Sequence, residues 1–95
     1  MYRQGDLILI PVKNVPAPSG EVKDTVLASG EDSGHVHMIK GVFDQKYLRI
    51  DVETELVVSP PSHSWRHKPL MIPAGTYEVR IQREYTPAGA RRVAD

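Results

Sequence analysis

The strongest constraint on the fold is a strict alternation of apolar and polar residues near the C-terminal end of the chain. Tyr77, Val79 and Ile81 are apolar, and the positions between and after them, 78, 80, 82 and 84, are charged or polar. A period of two indicates a β-strand, because successive side chains of a strand point to opposite faces of the sheet. The pattern predicts a strand with one face in a core and one charged, solvated face.

Shorter segments with strand character fill most of the remaining chain. They are rich in β-branched and apolar residues and are separated by turn residues, and we expect strands within 5–13, 24–29, 35–43, 46–52, 54–59 and 70–85, the last with a turn at Pro73-Ala74-Gly75. Eight prolines and seven glycines interrupt the sequence, and no stretch keeps a helical period. The sequence predicts one all-β domain over residues 1–95, a small antiparallel β-barrel or sandwich of about six or seven short strands, with 86–95 as a tail.

The chain carries a pair of histidines, His35 and His37, that are one residue apart. In a strand these positions share a face, so the two imidazoles would present a pair of nitrogen donors suited to Zn²⁺ or another divalent metal. His63 and His67 lie in an irregular loop at 60–69 and supply further ligands. The predicted metal ligands are therefore His35, His37, His67 and His63, and the sequence leaves open which of the last two is the third ligand. Three histidines leave a coordination position open, as in catalytic zinc sites, whereas four close the site.

Two alternatives to a metal stay open for the pair: histidines that are only hydrogen-bonded or solvated, and a catalytic pair without metal. The phase of the strand also has two solutions. We expect Val36 and Met38 to face the core and the histidines to face outward or toward a cleft, whereas the other phase buries the histidines. Glu31 and Asp32 stand close by, either as oxygen ligands or partners of an imidazole, or as residues of a turn.

Composition excludes several classes of protein. The absence of cysteine rules out disulfides and thiolate metal sites. Twelve basic and twelve acidic residues balance, so we expect no nucleic-acid or membrane partner. A net charge of zero does not oppose self-association, so we expect a protein partner or a homo-oligomer, formed through strand edges or the charged ladder at 77–85. No segment resembles a signal peptide, and we expect a cytoplasmic protein, or a virion protein if the chain is phage-encoded.

Two resemblances to known families start from the histidine pair. Gly30 followed by His35-Val36-His37, and later Pro73-Ala74-Gly75, resemble the two motifs of the cupin superfamily, although no carboxylate follows His37 closely and no histidine follows Gly75. That resemblance implies a metalloenzyme with a histidine-bound metal. A second resemblance, to short uncharacterised proteins of bacteria and their phages, covers nearly the whole chain and implies no activity; it is carried by the segments 2–6, 34–37, 73–77 and 82–87.

Three hypotheses for function follow from these observations. The leading one is a non-enzymatic structural or interaction protein, a phage or virion component, in which a divalent metal, zinc by preference, bound by histidines stabilises the fold or an interface. The alternative is a small cupin-like metalloenzyme with an open three-histidine site. The third is a binding module that holds a ligand with Trp65 and its loop.

Overall fold

A computed structural model describes residues 1–29, 35–59, 68–86 and 89–92, with side chains through residue 82. These residues form strands and connecting segments and no helix, which confirms the predicted all-β class. The strands are β1 (Tyr2–Gln4), β2 (Leu7–Pro11), β3 (Lys23–Ser29), β4 (Val36–Phe43), β5 (Tyr47–Ile50), β6 (Thr54–Ser59), β7 (Leu70–Ile72), β8 (Gly75–Ile81), β9 (Arg83–Thr86) and β10 (Gly89–Arg92).

Eight of these strands form one antiparallel sheet. Its order is β1-β2-β8-β5-β4-β6-β7, and β3 pairs with β4. The sheet curls until its two end strands, β1 and β7, come into contact, so it forms a nearly closed barrel. The strands β9 and β10 make a separate two-stranded hairpin. Across the part of the chain that the structure describes, no helix is both long and apolar enough to span a bilayer.

The barrel interior holds the hydrophobic core. Alternation along β2 and β5 points Leu7, Leu9, Leu48 and Ile50 inward, and each is at most 2% exposed. Other strands complete the cluster with Leu27, Ile39, Leu56, Ile72 and Tyr77. The core is small, as expected for 95 residues, so polar groups buried beside it have a large effect on stability.

The structure contains short strands that the sequence did not predict. β1 has three residues, too few for a period of two to be visible. The predicted strand region 70–85 is divided among β7, β8 and β9, with breaks at Pro73-Ala74 and at Gln82. The segment predicted as a tail, 86–95, contains β10, the second strand of the hairpin.

The predicted phase of β4 was wrong. Val36 and Met38 are only partly buried, whereas His37 and Ile39 are 0% and 2% exposed. Ile39 belongs to the core cluster, and because β-strand side chains alternate, placing it inside also places His37 inside. The phase that buries the histidines is therefore the correct one.

Candidate functional site

The two histidines lie side by side inside the barrel, at the start of β4. His35 immediately precedes the strand and His37 is its second residue. Both are 0% exposed. Their ring centroids are 5.4 Å apart and the ring planes meet at 66°. The predicted pairing of these two imidazoles is thus present in the structure.

The backbone at His37 is held from both sides. His37 pairs with Ala28 of β3 and with Val58 of β6. Opposite it, β3 carries an irregularity between Val26 and Ala28 that shifts its register. Because β4 is an interior strand at this point, the position of the imidazole is fixed by two neighbouring strands rather than by a loop.

A buried glutamine from another strand binds the His37 ring. Gln4, at the end of β1, is 3% exposed, and its Oε1 lies 2.8 Å from Nδ1 of His37. Its Nε2 donates to the carbonyl oxygen of Leu56 at 3.1 Å and to that of Lys68 at 2.9 Å. One amide side chain therefore joins β1 to β4, to β6 and to the segment that leads into β7.

These contacts determine which nitrogen of His37 carries the proton. The Gln4 amide nitrogen faces two carbonyl oxygens, which only accept hydrogen bonds, so Oε1 must be the atom that faces His37. An amide oxygen only accepts, so Nδ1 of His37 is the donor. In the neutral ring the other nitrogen, Nε2, then presents its lone pair as an acceptor or a metal ligand.

The remaining predicted site residues lie outside the described residues. This holds for His63 and His67, for Glu31 and Asp32, and for Trp65. Within the described ranges, no group of three or more His, Cys, Asp or Glu side chains could hold a metal ion. The structure thus places His35 and His37 side by side, whereas the positions of His63 and His67 stay predictions.

Sequence reasoning missed Gln4 and a second buried polar residue, Asp6. Asp6 is 0% exposed and lies in the turn between β1 and β2, where its carbonyl oxygen accepts from the backbone N–H of Gln82 at 2.8 Å. A polar residue in a three-residue strand carries no pattern that marks it as buried, so only the tertiary structure identifies Gln4. The partners of Gln4 are 33 to 64 residues away in the sequence.

A groove of about 570 Å³ lies elsewhere on the barrel. It is lined by residues of β3, β4 and β6 together with Pro69, and its lining includes Met38 and Val57 but neither histidine. The groove is therefore separate from the histidine pair.

Comparison with known proteins gives a family but no activity. No curated protein and no solved structure matches the chain. The resemblance to cupins finds no support in these comparisons and stays a prediction, whereas the resemblance to uncharacterised proteins agrees with a family match over residues 3–82. Because that match covers most of the chain, the protein belongs to the family described as a domain of unknown function, DUF8820.

Proposed function

We propose that this protein is a non-enzymatic β-domain stabilised by a divalent metal, zinc by preference, that His35 and His37 bind. The observation that carries the proposal is the spacing of the two buried imidazoles, whose ring centroids are 5.4 Å apart.

A tetrahedral zinc ion sets a narrow range for this spacing. A Zn–N bond of about 2.0 Å, plus roughly 1.2 Å from a ring nitrogen to the ring centre, puts each centroid about 3.2 Å from the metal. At a tetrahedral angle of about 109°, two such centroids are about 5.2 Å apart. The observed separation of 5.4 Å lies close to this value, and it also lies within the range of two imidazoles packed edge to face.

The hydrogen bond to Gln4 gives independent support. Histidines that bind metals commonly donate their second ring N–H to an oxygen, which fixes the tautomer and the ring orientation. Nδ1 of His37 donates to Oε1 of Gln4 in this way, which makes Nε2 the ligand atom.

For the third ligand we propose His67. The next residue in the sequence, Lys68, accepts a hydrogen bond from the same Gln4 amide that holds His37. Lys68 thus lies 2.9 Å from the side chain that holds His37, and His67 precedes it directly in the sequence. His63 is the alternative, and both together would close the coordination sphere.

A stabilising role is favoured over catalysis because both imidazoles are 0% exposed. A reactive metal needs a coordination position that a substrate can reach, as in the alternative of a small cupin-like enzyme with three histidines. A metal bound beside the buried core cluster would also stabilise the folded state, because it binds the folded chain and not the unfolded one. That the protein belongs to a phage or virion, and that it associates with a second copy or another protein, stay predictions from the sequence.

The test is zinc content and thermal unfolding of purified protein after zinc loading and dialysis. The variants are His35→Ala, His37→Ala, His67→Ala and His63→Ala, each measured with and without zinc. Leu48→Ala is the matched control, because it truncates a buried side chain outside the histidine pair and should lose stability while it retains zinc.

We expect one zinc per chain in the wild type and a melting temperature that rises with zinc. His35→Ala and His37→Ala should lose both effects. Stoichiometric zinc that leaves the melting temperature unchanged would favour the enzyme. A wild type that binds no zinc, cobalt or manganese would contradict the proposal.

A further inference from the structure

The barrel has a seam where its two end strands meet. β1 and β7 are the ends of the sheet, and the described residues form no backbone ladder between them. Side-chain contacts therefore have to hold this edge closed. The Gln4 amide, at the end of β1, bridges this edge with two hydrogen bonds. It donates to the carbonyl oxygen of Leu56, whose residue pairs with Leu70 of β7, and to the carbonyl oxygen of Lys68, two residues before β7.

The same amide is the group that anchors His37. Its nitrogen holds the seam and its oxygen accepts from Nδ1 of His37, so one side chain takes part in both interactions. Gln4 and His37 are 3% and 0% exposed, so little water is available to replace the hydrogen bond between them if the side chain moves. A displacement of this side chain that opens the seam would therefore also break its hydrogen bond with His37.

We infer that Gln4 is a positioning residue that couples metal binding at His37 to closure of the seam between β1 and β7. This inference rests on the proposed metal site. When the seam opens, His37 loses the acceptor that fixes its tautomer, and loss of such a partner typically weakens metal binding 10- to 100-fold. Coupling of two equilibria is reciprocal, so the metal favours the closed seam by the same factor.

The first test needs no variant and no metal. Long-range ¹H–¹⁵N NMR of the metal-free wild type distinguishes the two neutral tautomers of each histidine. We expect the Nδ1–H form for His37. The Nε2–H form would overturn the inference, because Gln4 would then not hold the ring as described.

The second test is hydrogen exchange of the backbone amides of β1 and β7, with and without saturating zinc. In the wild type, zinc should slow their exchange about 10- to 100-fold. Gln4→Met keeps the side-chain length but cannot form any of the three hydrogen bonds. In this variant zinc should change the exchange rates of the β1 and β7 amides less than twofold. The zinc affinity should fall by the same factor by which zinc slows exchange in the wild type. Gln45→Met, at an exposed glutamine, is the matched control and should behave as the wild type.

The outcomes separate the inference from the proposed function. Zinc binding without slower exchange at β1 and β7 would overturn the coupling and leave the metal site standing. Absence of zinc binding would overturn the proposed function, and the coupling with it. Equal zinc affinity in Gln4→Met and the wild type would overturn the coupling through Gln4 and leave the metal site standing.

Discussion

Replacing Gln4 with methionine in the metal-free protein measures how much the buried hydrogen-bond network stabilises the barrel. The change removes three hydrogen bonds, to His37, Leu56 and Lys68. The first two of these partners are residues with 0% exposure, so no solvent replaces the lost bond. Lys68 is exposed, and its carbonyl oxygen can bind water instead.

The magnitude follows from the two buried partners. A buried polar group left without a hydrogen bond costs about 1–3 kcal/mol, so two cost about 2–6 kcal/mol. Burial of the more apolar methionine side chain offsets about 1 kcal/mol. We therefore expect the free energy of unfolding to fall by about 3 kcal/mol. For a domain of this size that corresponds to a melting temperature lower by roughly 12–24 °C.

The assay is equilibrium unfolding in urea, followed by circular dichroism in the presence of a chelator. Gln45→Met, at an exposed position, is the control and should change the free energy by less than about 0.5 kcal/mol. A loss below about 1 kcal/mol in Gln4→Met would mean that the network contributes no more than a single solvated hydrogen bond, contrary to this expectation.

Three further predictions concern the rest of the barrel. Gly41→Ala should lower the free energy of unfolding by about 1–3 kcal/mol, measured in urea, because a Cβ there would lie 2.8 Å from the carbonyl oxygen of Arg49; an unchanged value would contradict the close packing. Burial, with a smaller contribution from Tyr2, raises the pKa of Tyr77 above 10.0. The folded state therefore favours the neutral phenol, and the stability that Tyr77 contributes is fully present below pH 10 and is lost as pH rises through the folded pKa. Tyr77→Phe should therefore show a shallower loss of stability above pH 10, and identical pH profiles would count against this. Arg49→Met should speed limited proteolysis of the loop before β3 roughly tenfold, because the guanidinium donates to two carbonyl oxygens of that loop, whereas exposed Arg80→Met should not.

The fold class was predictable because alternation and turn residues are local signals. The bounds of β3, β4 and β6 came within a residue of the expected ones, since each has at least six residues over which the pattern can repeat. β1 and β10 were missed because three or four residues carry too little pattern. Closure of the barrel depends on contacts between the first and seventh strands, which no local signal encodes.

The candidate site was predictable only in part. The spacing of His35 and His37 correctly indicated two imidazoles on one face of a strand. The prediction of the buried face was wrong. It placed Val36 and Met38 in the core because they are more hydrophobic than histidine, and no local pattern indicates that a buried side chain accepts a hydrogen bond from the His37 ring. That acceptor, Gln4, lies 33 residues away in the sequence.

We propose that His35 and His37 share a metal ion. X-ray absorption at the zinc edge of the loaded protein tests it most directly, beside His35→Ala and His37→Ala. In the wild type we expect nitrogen ligands at about 2.0 Å and the outer scattering of at least two imidazoles, and neither variant should retain this signal. A shell of oxygen alone, or an imidazole signal that neither variant changes, would contradict it.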